Sequence, residues 1–126
     1  MWAGWQLEGS TLIEFAVVPR SDHGWGHVRV GERDVLAAAR AARGYGAGIL
    51  AQVHSHPGRD TRHSDGDDEL VLMPFEGMWS VVVAEYGLGM GGGRLDVGIH
   101  QRQGRRWTAV TDMDEALVVL PPAVHP

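Results

Sequence analysis

Short apolar runs broken by glycine and polar residues set the rhythm of this chain. "WQLE" (5–8) leads through Gly9-Ser10 into "TLIEFAVVP" (11–19), whose β-branched residues and closing proline predict two opening strands. The polar, glycine-containing "RSDHGWGHVRV" follows, returning as a short strand over 27–30. "GERDVLAAARAARGYG" (31–46) is the clearest helix: alanine and arginine fill it, acidic residues sit in its first turn, and Gly44 or Gly46 can end it. "GILAQVH" (48–54) reads as a largely buried strand stopped by Pro57. A polar loop then gives way to "DDELVLM" (67–73), a short helix before Pro74. "MWSVVVAEYG" (78–87) is a second strong strand, and "GLGMGGGR" (87–94) is a loop or hairpin tip. "LDVGIHQ" and "RRWTAV" form a hairpin joined at Gly104, and "ALVVLPPAVHP" (116–126) adds an edge strand before its prolines.

No internal repeat or regular βαβ rhythm is present, so the expected class is α+β, with residues 1–126 forming one domain. A formal net charge of −5 argues against nucleic acid as a main partner, because phosphate binding needs a basic surface. No apolar run of 18 or more residues occurs, and "MWAGWQLEGS" does not read as a signal peptide. The expectation is a cytoplasmic protein that neither spans a membrane nor binds nucleic acid. The chain has no cysteine, which removes thiolate catalysis and disulfides and leaves nitrogen and oxygen as metal donors. The glycines of 87–93 do not match a phosphate-binding spacing between strand and helix.

The densest chemistry lies in "AQVHSHPGRDTRHSDGDDE" (51–69). Residues i and i+2 of a strand share a face about 6.5–7 Å apart, so His54 and His56 can aim both imidazoles at one ion. Ser64-Asp65-Gly66-Asp67 has the S-x-x-D form of a capping box, which would fix the Asp67 carboxylate at a helix start. Two histidines and one carboxylate leave a tetrahedral zinc one open position for water, the form of a catalytic site. The bland alternatives are a solvated acidic loop and a simple helix cap. The ligand set alone would also admit iron or cobalt.

"HSHP", six residues, then "SDGD" is a joint pattern far more specific than either part. It resembles the signature of the JAMM (MPN+) metalloprotease family, H-x-H-P, a loop, then S-x-x-D, at His54, His56, Pro57, Ser64 and Asp67. The resemblance implies a JAMM/MPN-like domain with a curved mixed β-sheet and flanking helices. It further implies Zn²⁺, one per chain, held by His54, His56 and Asp67, with Ser64 as the catalytic group that stabilises the oxyanion. The implied reaction is hydrolysis of an isopeptide or peptide bond after the C-terminus of a ubiquitin-like protein, in deconjugation or precursor processing. Implied partners are that ubiquitin-like substrate and, as for small bacterial stand-alone members, E1-like and E2-like proteins of the same pathway. A cysteine-releasing peptidase of sulfur metabolism is a close variant.

The sequence departs from the family at one point. The resemblance calls for a glutamate on the first strand as general acid/base, and Glu8 and Glu14 are the only acidic residues there, neither in good register. Two readings stay open: the glutamate precedes Met1, or Glu8 fills the role. The rival of another class is an MPN-like scaffold or binding subunit that lacks this glutamate, and a RadC-like relative sharing the H-x-H-P loop is a second rival. Elsewhere, His63 reads as solvated, and His23 and His27, flanking Trp25, as surface. His100 and His125 read as structural or exposed. Trp79 and Trp107 read as core, and Trp2 and Trp5 as an aromatic pair suited to a partner interface. Arg59, Arg62 and the glycine-rich loop are candidates to border a groove that takes an extended tail by strand addition.

Overall fold

The structure is a computed structural model that describes residues 1–24, 27–64, 74–90, 96–112 and 116–120. Its strands are β1 (Trp2–Leu7), β2 (Ser10–Ala16), β3 (Asp22–Gly24), β4 (His27–Arg29), β5 (Gly48–Ser55), β6 (Trp79–Val83), β7 (Val97–Gln103) and β8 (Arg106–Ala109), with one helix, α1 (Glu32–Gly44), between β4 and β5. Six strands form one sheet in the order β2-β1-β5-β6-β7-β8, and β3 and β4 pair in a separate ribbon. Only β5 and β6 run parallel; their neighbours are antiparallel. This is a sheet-dominated α+β fold with a mixed sheet, as expected, and the bulges along β1 suit a curved one.

The parallel pair decides where chemistry can gather. Antiparallel neighbours can join by a tight turn, whereas a parallel pair needs a crossover and brings both carboxyl ends to one edge. Here residues 56–78 make the crossover, so the segment leaving β5 at Ser55 lies beside the turn leaving β6 at Val83.

Burial along α1 explains its docking. Asp34, Val35, Ala38, Ala39 and Ala42 are buried or half-buried, a stripe at helical spacing, while Arg33, Arg40 and Arg43 face water. Ala42 packs with Ala3 and Ala47, and Trp5, Phe15, Val17 and Ile49 close around them. Glu32 and Asp34 complement the positive end of the helix. Gly46 N–H donates to Arg43 O and Ala47 N–H to Ala42 O, which ends the helix by the Schellman pattern. Strand alternation sends these neighbours to opposite faces: Ala3 joins the helix cluster, and Trp2 lines an apolar groove of about 850 Å³ with Ala51, Trp79, Val81 and Ile99.

Gly4 is the tightest point of the β1–β2 hairpin. A Cβ there would overlap the Leu12 carbonyl oxygen, and backbone cannot swing away as a side chain can. Gly4→Ala is expected to cost on the order of 3 kcal/mol and lower the melting temperature by roughly 10 °C in a calorimetric scan.

Several local expectations need correction. The strand over 78–87 stops at Val83, because Ala84–Gly87 turns with Glu85 and Tyr86 at φ values of 48° and 54°. Residues 117–120 form no strand but line the groove, Leu117 half-buried and 118–120 exposed. Trp2 and Trp5 are half-buried rather than a free aromatic pair, and Trp5 Nε1–H donates to Gly46 O. The expected helix at 67–73, Trp25, His125 and residues 91–94 of the glycine-rich tip lie outside the described residues. Among the described residues, no helix is long and apolar enough to cross a membrane.

Candidate functional site

His54 lies on β5 opposite Val82 of β6, and His56 is the first residue past the strand. The imidazoles are neighbours, with ring centroids 5.1 Å apart, as the i, i+2 spacing predicts. His56 N–H donates to Val83 O and carries the parallel ladder one step beyond the strand. His56 Nδ1 lies 2.6 Å from Asp60 O, and since a carbonyl only accepts, Nδ1 bears the proton. In a neutral ring the lone pair is then on Nε2. This arrangement, with one ring nitrogen fixed by a backbone carbonyl, is the one that orients metal-binding histidines. His54 Nε2 is shielded from solvent.

The segment from His56 to Ser64 is pinned at five places. Tyr86 N–H donates to His56 O, and Glu85 N–H donates to Gly58 O. The two residues that make these bonds are the left-handed, non-glycine pair, a conformation that costs of order 1–3 kcal/mol per residue and persists where surroundings impose it. Arg59 Nε reaches Glu85 Oε1 at 3.2 Å from the exposed side. Farther on, Thr61 rests directly on Gly98 of β7, where no side chain fits: an added Cβ would overlap the Thr61 carbonyl oxygen.

Arg62 and Asp60 form an exposed pair at 2.6 Å. The Arg62 side-chain bonds, with its backbone N–H as the second contributor, hold the Asp60 carboxyl well below the usual carboxylate range. Asp60 therefore keeps its charge in mild acid.

The fifth attachment is His63, which is half-buried rather than solvated. Its ring stacks on Trp107 at 4.7 Å and 21° and lies 6.3 Å from that of His54. Its backbone N–H donates to His100 Nε2 at 3.3 Å, and the Gln52 amide nitrogen is 3.3 Å from its Nε2. Gln52 also donates to Ser80 Oγ at 3.0 Å. Ser80 is fully buried and His100 is 6% exposed, so His100 takes the structural option of its two expected roles. Trp107 is half-buried, and Arg102 sits 5.4 Å from its ring centroid.

Of the four site residues predicted from sequence, His54 and His56 come together, and Ser64 follows His63 directly as an exposed residue. Asp67 lies outside the described residues. Among the described residues no group of three or more His, Asp or Glu is placed to hold a metal. A two-imidazole pair plus a carboxylate suits a borderline divalent cation such as zinc.

The strand register locates the two glutamates of the hairpin. Trp2 pairs with Ala51 and Gly4 with Gly48, so the ladder starts three β5 residues short of His54 and runs away from it toward Glu8. Glu8 lies past the other end of that ladder, and about 20 Å of strand separates Gly48 from His54. Glu14 is exposed on β2, one strand farther out. Sequence reasoning also missed Gln52, Ser80, Gly98 and Trp107 as parts of this region. Alternation on β5 could have flagged Gln52, which shares a face with His54, whereas Gly98 carries no sequence signal.

The chain matches no protein-family model and no curated protein.

Proposed function

We propose that the chain is a zinc-dependent peptidase of the JAMM (MPN+) type that cleaves after the C-terminus of a ubiquitin-like protein. The observation that carries this reading is the paired imidazoles of His54 and His56 at the end of β5, with His56 Nδ1 tied to Asp60 O. The H-x-H-P, six-residue, S-x-x-D spacing around that pair supports it.

His54, His56 and Asp67 would hold one zinc per chain, which when bound polarises the scissile carbonyl and makes water nucleophilic at neutral pH. The chain's own contribution is positional. Asp60 O fixes which nitrogen of His56 faces outward, and the pinned loop keeps Ser64 at the rim. The Ser64 hydroxyl donates a hydrogen bond to the oxyanion that develops as the amide carbon becomes tetrahedral. Cleavage adds water across the C–N bond, and the departing amine takes a proton. Arg59, exposed beside the site, is suited to border the track of an extended tail. The ubiquitin-like protein is the substrate, with E1-like and E2-like proteins as companions in the same pathway.

The register of β1 favours a second reading. Neither Glu8 nor Glu14 faces His54 across the sheet, which leaves the acid/base role on the first strand unfilled by either. Without it the same site describes a metal-holding MPN-like binding subunit with little turnover.

The deciding experiment is cleavage of a ubiquitin-like fusion by the purified chain, with metal content read on the same sample. About one zinc per chain with cleavage supports the enzyme, zinc without cleavage supports the binding subunit, and no zinc sinks both. In the first case Ser64→Ala is expected to lower kcat about 10²–10³-fold with zinc content unchanged.

A further inference from the structure

We infer that His63 is a positioning residue: clasped by Trp107, His100 and Gln52, it anchors the end of the site loop and so sets where Ser64 stands. The inference rests on the proposed role of Ser64, but the clasp itself is geometric. Gln52, Ser80 and His100 occupy one register row across β5, β6 and β7, on the same face as His54 and Val82. Polar side chains buried in the middle of a sheet are costly unless hydrogen-bonded. Gln52 bonds Ser80 within the row and reaches His63 outside it, while His100 Nε2 receives the His63 N–H. The row is thereby completed by a loop residue, which couples loop closure to satisfaction of the sheet interior.

Trp107 supplies the remaining wall. Its ring lies nearly parallel to the His63 imidazole at 4.7 Å, a geometry that restricts ring and backbone together. Pro57 to Asp60 are exposed, so the loop's own side chains cover little of it from solvent. The contacts of His63 and the seat of Thr61 on Gly98 therefore hold its far end. Because Ser64 is the next residue, its Cα stays about 3.8 Å from that of His63 and inherits its placement.

The test compares the parent chain with His63→Ala and His63→Phe, reading amide hydrogen exchange at 61–64, zinc content, and kcat and KM on the fusion substrate. His63→Ala is expected to speed exchange at 61–64 by roughly 10-fold or more, leave zinc content unchanged, and lower kcat roughly 10–100-fold with KM steady. His63→Phe keeps an aromatic face for Trp107 and the backbone N–H for His100, and is expected to recover most of kcat. Unchanged exchange in His63→Ala overturns the inference, as does a rise in KM at constant kcat, which would make His63 a substrate contact. Should His63→Ala fail to fold, His63→Phe and Trp107→Leu decide the matter by the same exchange readout. A parent chain that cleaves nothing sinks the proposed function, while exchange at 61–64 still decides whether His63 anchors the loop.

Discussion

His56→Ala is expected to purify with little or no zinc and to show cleavage at background. Two effects combine. The substitution removes one of three proposed ligands, and it removes the ring whose Nδ1 is held 2.6 Å from Asp60 O, so the turn from 56 to 60 loses its internal tie. Changes to groups that merely orient a metal ligand cost 10–100-fold in affinity or activity, and loss of the ligand itself is expected to exceed that, on the order of 10³-fold or more. His54→Ala should do the same to zinc and cleavage and destabilise the fold more, because His54 is half-buried within β5 whereas His56 lies beyond its end. Metal analysis and a thermal melt on the same preparation separate these effects. Full zinc occupancy in His56→Ala would remove this residue from the ligand set and the signature's meaning with it.

Gly98→Ala should disable the site from a strand that contributes none of its proposed ligands. The added methyl would meet the Thr61 carbonyl oxygen and lie 2.8 Å from Thr61 Cβ, a contact that only a shift of the loop can relieve. The strand cannot yield easily, since Gly98 pairs with Val82, which is fully buried. A misplacement of about 1 Å at a catalytic group can cost on the order of 10²-fold, and we expect a loss of kcat of that order. Overpacking of this kind costs about 1–3 kcal/mol, readable as a lower urea midpoint. Gly58→Ala is the internal control: it makes the same chemical change in the loop itself, where an added Cβ meets nothing within 4 Å, and should alter neither quantity noticeably. Equal behaviour of the two variants would mean that the seat of Thr61 does not govern the site.

The division between what the sequence determined and what tertiary structure decided follows interaction range. Local pattern was enough for α1, for β5, β6 and the β7–β8 hairpin, and for the pairing of His54 with His56, because helix stripes, strand runs and an i, i+2 spacing are set by neighbouring residues. The early stop of β6 at Val83 was hidden. Glu85 and Tyr86 adopt left-handed backbone only because Gly58 O and His56 O, far away in sequence, accept their N–H groups. By sequence His63 reads as solvated, because its polar neighbours suggest a hydrated loop. Its actual surroundings are Gln52 on β5, His100 on β7 and Trp107 on β8, assembled by the strand order alone. The candidacy of Glu8 as a base was likewise a matter of register. Only the pairing of Trp2 with Ala51 puts Glu8 at the end of the sheet remote from His54. The proposed donors and their spacing are thus written in sixteen consecutive residues, 52 to 67, whereas the clasp around His63 depends on strands brought together by the parallel β5–β6 pairing.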